Sequence, residues 1–367
     1  MKRKPAAGDA SISESGIIAA ITSRFQATDN RMVVGPGDDA AVLRSSDYAD
    51  SGRRLNTVDQ VVTTDLLIEG VHFDLRYMSL ADAAYKALAV NLSDIAAMGG
   101  TAAQVFGVLG VPAGTPAGRV EELLDGVSAA LPDGAVLAGG DTVAAPQWVI
   151  GFTVIGEVRG PALLRSGARA GDLVWHSGSL GLSQVGLSLL WPGAGDDDEV
   201  FSAALAAHRR PVPQLELARF LQENKLASAC LDLSDSLAQC LLLLADASDA
   251  GLSLDFVNYP FAPGVKAFRG LMRRWHPGGK AAFRVPVRFN PDGRPARFRS
   301  LAEYILASAE DFQLLFTAPP AATARLLSGS PVPLTRIGTV VDPAEGCHYR
   351  SEDGRTHELT RIGFEHI

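Results

Sequence analysis

From Ala87 to Met98 the chain is apolar except at Asn91, Ser93 and Asp94, and Gly99-Gly100 follows at once. That pattern predicts a buried helix over Ala81–Met98, closed by glycine as helices commonly are. On it Asn91 and Asp94, three apart, share a face. Upstream, Asp59–Asp65 is rich in β-branched residues and predicts a strand. Further strands are expected at Val105–Val111, Ala135–Ala138 and Trp148–Val158, with a helix over Arg119–Ala130. Residues 1–12 read as a flexible tail, and a helical pattern opens at Ser13 with Ile17, Ile18, Ile21 and Phe25. Arg159-Gly160-Pro161 has the composition of a join, which divides the chain into domains at 13–160 and 161–367. Beyond it, strands are expected at Asp172–Ser177, Leu252–Phe256 and Gln313–Thr317, and helices at Leu182–Leu190, Val212–Asn224 and Leu237–Ala247. Gly193–Glu199 reads as an acidic loop. The segment Lys266–Arg299 (about 266–300) holds ten basic residues against Asp292, and its Pro-Gly turns predict a loop or hairpin, read as a solvated surface insertion.

The mixed order of elements predicts an α+β chain, and 367 residues fit two domains. No Gly-x-Gly-x-x-Gly opens a helix, so a dinucleotide-binding Rossmann unit is not indicated. A net charge of −8 argues against a general nucleic-acid binder. Three cysteines, Cys230, Cys240 and Cys347, lack metal-like spacing and fit a reducing cytoplasm. No apolar run follows the basic N-terminus or is long enough to span a bilayer, so a soluble cytoplasmic protein is expected.

Five acidic motifs change this picture: Gly37-Asp38-Asp39-Ala40-Ala41, Thr63-Thr64-Asp65, Asn91-Leu92-Ser93-Asp94, Gly139-Gly140-Asp141-Thr142 and Asp232-Leu233-Ser234-Asp235. Each borders small or apolar residues, where a carboxylate is costly without a compensating charge. Each also has an ordinary reading. Asp38-Asp39 suits a turn, Thr63-Thr64-Asp65 a strand end, and Ser234 or Asp235 a helix cap. Paired glycines at 139–140 suit either a turn or close approach to a phosphate. Taken together, carboxylates and hydroxyls in this number suit hard divalent cations, above all Mg²⁺ bridging to phosphates. Arg165, in Arg165-Ser166-Gly167-Ala168, is placed to contact phosphate oxygens, and His72 follows the Thr-Thr-Asp strand closely.

The order of these motifs, with Gly70-Val71-His72-Phe73 and the run Tyr85–Gly99, resembles the thiamine-monophosphate kinases across almost the whole chain. The resemblance implies the aminoimidazole ribonucleotide synthetase-like fold, with an N-terminal αβ domain that dimerises through its sheet. It implies ATP-dependent phosphorylation of thiamine monophosphate to thiamine diphosphate in a homodimer. Because a phosphate acceptor is already ionised near neutral pH and needs no general base, Mg-assisted direct in-line transfer is expected. By motif, Asp39, Thr63, Thr64, Asp65, Asp94, Asp141, Asp232 and Asp235 would hold several Mg²⁺ ions. Gly140, Asp141, Arg165 and Ser234 would contact ATP; His72, Glu310 and Phe364 would contact the thiamine phosphate.

The chain departs from that pattern in places. Ser308-Ala309-Glu310-Asp311-Phe312-Gln313 stands where the family has Gly-Gly-Glu-Asp-Tyr-Glu, and Ser236 replaces a glycine. A synthetase of the same fold with another acceptor would carry the same acidic motifs. A non-catalytic dimeric binding module would keep the fold, but retention of all five motifs speaks against it.

Overall fold

The computed structural model describes Ser23 and residues 32–44, 58–190, 199–275 and 298–362. The expected tail, the helix opening at Ser13 apart from Ser23, most of Gly193–Glu199, residues 276–297 and Phe364 lie outside the described residues. The first half is a six-stranded sheet ordered β1-β2-β3-β6-β4-β5. Its strands are β1 (Met32–Val34), β2 (Ala41–Leu43), β3 (Val58–Ile68), β4 (Thr101–Pro112), β5 (Val136–Ala145) and β6 (Val149–Arg159). β3 pairs with β6 along its full length, from Val58 opposite Arg159 to Ile68 opposite Val149. β4 and β5 run parallel and are joined through helix α2 (Ala117–Ala130), a βαβ crossover.

Helix α1 (Leu80–Ala97) explains the architecture. Ser79 caps it by accepting the Asp82 N–H, and the Gly99 and Gly100 N–H groups donate to Ala96 and Ile95 at its end. Gly99 has φ 71°, and a Cβ there would sit 2.9 Å from Gln222 Cβ; glycine serves both needs. Ala84, Leu88, Leu92 and Ile95 pack on the first sheet. Ala96 and Ala97 instead join a core with Leu217, Leu221, Leu314 and Phe316 of the second half. A helix covered on both sides must be apolar all round, and any polar residue on it needs a partner.

The second half is a seven-stranded sheet ordered β13-β12-β9-β11-β7-β10-β8. Its strands are β7 (Leu173–Ser177), β8 (Ala229–Asp232), β9 (Gly251–Asp255), β10 (Leu314–Ala318), β11 (Leu334–Val341), β12 (Cys347–Arg350) and β13 (Thr356–Glu358). Helices α3 (Leu182–Leu190), α4 (Ser202–Arg209), α5 (Leu215–Glu223), α6 (Leu237–Ser248), α7 (Pro263–Trp275), α8 (Leu301–Leu306) and α9 (Thr323–Gly329) complete it. Among the described residues no helix is long and apolar enough to cross a membrane.

Four expectations are corrected. Gly139–Thr142 does not follow a strand but lies inside β5, because a parallel partner supplies the ladder that this glycine pair could not promise by propensity. A Cβ on Gly140 would come 2.0 Å from Gly107 O, so strand pairing alone demands glycine there. Val212–Asn224 is helical only from Leu215, with α4 preceding it. The N-cap of α6 is Ser236, which accepts the Gln239 N–H, rather than Ser234 or Asp235. Residues 266–275 of the basic stretch lie in helix α7 (Pro263–Trp275) and are not loop.

Candidate active site

Three chain segments meet at the face of α1 near its C-terminal end. Asp39 comes from the turn before β2, Asp94 from α1 and Asp232 from the end of β8. One carboxylate oxygen from each lies within 4.8 Å of the other two. The local hydrogen bonds fix this meeting. Thr63 Oγ1 donates to Asp94 Oδ2 at 2.6 Å, and Ser93 Oγ donates to Asp232 Oδ2 at 2.7 Å. The Asp65 N–H donates to Asn91 Oδ1 at 2.9 Å, so Asn91 and Asp94 do face the same strand. Asp65 lies on the same face of β3 as Thr63, two residues along the strand. Arg165 closes the other side: Nε donates to Asp39 Oδ1 at 3.0 Å, Nη2 donates to the same oxygen, and its backbone N–H reaches the Asp38 carboxylate at 3.3 Å.

Two like charges at this separation repel by about 3 kcal/mol at an effective dielectric near 20. One arginine cannot offset three carboxylates. Burial, only partly countered by Arg165, pushes Asp39 up to about 6. Burial, then the neighbouring Asp39, pushes Asp232 up to about 8. Asp94 is driven well above the carboxylate range by burial and then by Asp232, Asp65 and Asp39. Asp39 Oδ2 and Asp232 Oδ1 are buried without a hydrogen-bond partner. Oxygen-only donors, converging and under-satisfied, form a donor set that fits Mg²⁺.

A second polar cluster lies nearer the start of α1. Lys86, with only 1% of its side chain exposed, donates from Nζ to Glu310 Oε2 at 3.1 Å. His208 Nδ1 stands 3.7 Å from the same oxygen. Burial works to raise the Glu310 carboxyl, but Lys86, by its charge and its hydrogen bond, leads the neighbours that hold it below its ordinary value. Burial, then Lys86, lowers His208 to about 3, so its ring is neutral. His72 Nδ1 accepts the Ile68 N–H at 3.0 Å. The expected acceptor contacts His72 and Glu310 therefore share one neighbourhood.

Other expected residues stand apart. Thr64 and Thr63 point to opposite sheet faces by strand alternation, and Thr64 Oγ1 donates to Phe152 O at 3.1 Å. Asp141 lies opposite Val108 on β5; Val108 faces Gly151 and Gly151 faces Leu66. That path puts Asp141 three strands from β3, about 14 Å at about 4.8 Å per strand. It is also on the face away from α1. Ser234 and Asp235 are exposed in the loop after β8. Sequence reasoning missed Lys86, Ser93 and His208 as site residues. Lys86 and Ser93 did carry a signal: they lie seven residues apart, two turns on one face of an otherwise apolar helix.

Residues 37–158 match the family described as AIR synthase related protein, N-terminal domain. The thiamine-monophosphate kinase of Bacillus subtilis (strain 168) is 31% identical over 342 residues, spanning 91% of this chain and 93% of that protein. The thiamine-monophosphate kinase of Escherichia coli (strain K12) is 31% identical over 373 residues, spanning 96% and 98% respectively. Among solved structures, AaThiL complexed with AMPPCP and TMP superposes with a TM-score of 0.75 at 27% identity, over 97% of both chains.

Proposed function

Since this chain belongs to the thiamine-monophosphate kinase family, we propose that it transfers the γ-phosphoryl group of ATP to thiamine monophosphate, giving thiamine diphosphate. The observation that carries the reading is the meeting of Asp39, Asp94 and Asp232 within 4.8 Å, under-satisfied and flanked by Arg165. The complex of AaThiL with AMPPCP and TMP supports the same pair of reactants.

Asp39, Asp94 and Asp232 would hold Mg²⁺, with Thr63 and Asp65 at the margin. When bound, Mg²⁺ neutralises phosphate oxygens and lets two anionic reactants approach. The chain's own groups do the rest. Thr63 and Ser93 fix the rotamers of Asp94 and Asp232 through their hydrogen bonds. Arg165 presents a planar guanidinium at the edge of the cluster, suited to phosphate oxygens. The acceptor's phosphate is ionised near neutral pH, so no general base is required. Its oxygen attacks the γ-phosphorus in line, the bond to the ADP oxygen breaks, and no phosphoenzyme forms. His72 and Glu310 would take the thiamine end, Phe364 with them; Ser234 and Asp235 would take nucleotide phosphate and metal.

The reading divides the chain at about residue 160, supported by a first sheet ending at Arg159 and a second beginning at Leu173. It includes a homodimer. Leu66, Phe106, Val108 and Val143 are exposed on the sheet face away from α1, and a second copy covering them would explain that apolar surface. Gly140 and Asp141, on the neighbouring edge strand, would serve ATP across that interface. The absence of a membrane-spanning helix among the described residues and the soluble substrates support a cytoplasmic enzyme. Purified protein with Mg-ATP should form thiamine diphosphate from thiamine monophosphate and not from free thiamine. ATP turnover that ignores thiamine monophosphate would replace this reading with another acceptor.

A further inference from the structure

Lys86 and Ser93 lie on the stripe of α1 that meets the second half of the chain. Ser93 reaches Asp232 and Lys86 reaches Glu310. Seven residues at about 1.5 Å each separate them by about 10 Å along the helix axis. The two ends differ in chemistry. One gathers carboxylates that suit metal and phosphate; the other offers a single carboxylate whose partners keep it ionised. Thiamine monophosphate carries the matching pair of features, a phosphate at one end and, joined to it by a short arm, a cationic thiazolium ring.

The Lys86 end is built in a way that packing alone does not require. A buried ammonium is no cheaper than a methionine or leucine of similar volume. Here the cation is inside, 1% exposed, while the carboxylate it holds is 32% exposed and so within reach of a ligand. Glu310 also has φ 60°, a left-handed conformation costing a side-chain-bearing residue about 1–2 kcal/mol. Its N–H donates to Ser234 O at 2.9 Å. The adjacent Asp311 is pinned by the N–H groups of Gly181 at 2.6 Å and Ser183 at 3.2 Å. Backbone and side chain are thus both constrained, and Oε2 is taken by Lys86 with His208 beside it.

We propose that Lys86 is a positioning residue for the acceptor: by anchoring Oε2 of Glu310, it aims that carboxylate at the cationic heterocycle of thiamine monophosphate, two helical turns from the carboxylates that receive the phosphate. The inference deepens the proposed function and rests on it. Lys86 sets how tightly and in which register the acceptor binds, and leaves nucleotide binding alone.

The test is steady-state kinetics on the full-length wild type, Lys86→Met, Glu310→Gln and the double variant, with thiamine monophosphate and ATP varied separately. Each single variant should raise KM for thiamine monophosphate by about 10- to 100-fold, with KM for ATP within about twofold, as loss of a charged hydrogen bond implies. The double variant should be no worse than the poorer single, since both act through one contact. If Lys86→Met melts below the assay temperature, Lys86→Gln replaces it and the same split is expected. An unchanged KM for the acceptor in a folded, active variant would overturn the inference, as would equal losses against both substrates. A wild type that does not use thiamine monophosphate would overturn the proposed function itself, a result distinguishable from either.

Discussion

Both ends of helix α1 desolvate carboxylates, Asp232 almost wholly buried and Glu310 with 32% of its side chain exposed, and treat them in opposite ways. At the C-terminal end, Asp94 and Asp232 lie among other acids and are pushed upward by burial first and by one another next. At the N-terminal end, Glu310 is also desolvated, yet the Lys86 ammonium leads its neighbours in reversing the direction. Burial therefore does not decide the protonation state; the sign of the neighbours does. The acidic end is unfinished without added positive charge. The Lys86 end is electrostatically complete within the chain.

Substitutions can break this contrast, beginning with the largest effect. Asp94→Asn keeps the shape and the Thr63 contact but removes a charge from the acidic end. Turnover should fall at least about 10³-fold, in the range seen when a preorganised charge is lost, while thermal melting of the metal-free protein stays level or rises. Wild-type turnover in that variant would defeat the assignment of the cluster. Glu310→Gln should have the reverse stability effect, costing about 3 kcal/mol in urea denaturation because it strands the Lys86 ammonium. Equal stability changes in the two variants would erase the contrast. Ser93→Ala removes a buried donor from Asp232 and should cost about 1–2 kcal/mol, measured the same way.

The smallest effect is in pH. Asp39 and Asp232 have folded values raised to about 6 and about 8 from 3.8, so the folded state holds protons that the unfolded state has lost. Their contribution is full below 3.8 and disappears as pH rises through those values. The melting temperature of metal-free protein should then decline between pH 6 and pH 8. Glu310 works in the other window. Its folded value lies below the ordinary 4.5, so its contribution is present above that pH and is lost on acidification. Melting curves with and without Mg²⁺ should differ most at pH 8, where the carboxylates are ready to ligate.

Much of the acidic end was legible in the sequence, because each motif sits beside apolar residues that make an isolated charge conspicuous. The expected helix at Ala81–Met98 matches α1 to within one residue at each end, since period, cap and terminal glycines agree. β5 was harder to read. Gly139, Gly140 and Asp141 have poor strand propensity, and only the ladder to β4 makes them a strand. Alternation of Thr63 and Thr64 was readable in principle, but two hydroxyls in a row look alike until the sheet assigns faces. The Lys86–Glu310 contact spans 224 positions, and no local pattern announces such a pairing. The second half hid some of its short elements for a related reason: α4 and β12 are held by tertiary packing rather than by strong local periodicity.

One measurement goes directly to the gathering of a divalent cation by Asp39, Asp94 and Asp232. Crystals grown with Mn²⁺ in place of Mg²⁺, together with an ATP analogue, should show an anomalous peak bounded by these three carboxylates, and Asp94→Asn crystals should lose or weaken it. Peaks found only elsewhere, with the three side chains still paired to Arg165, Thr63 and Ser93, would contradict it.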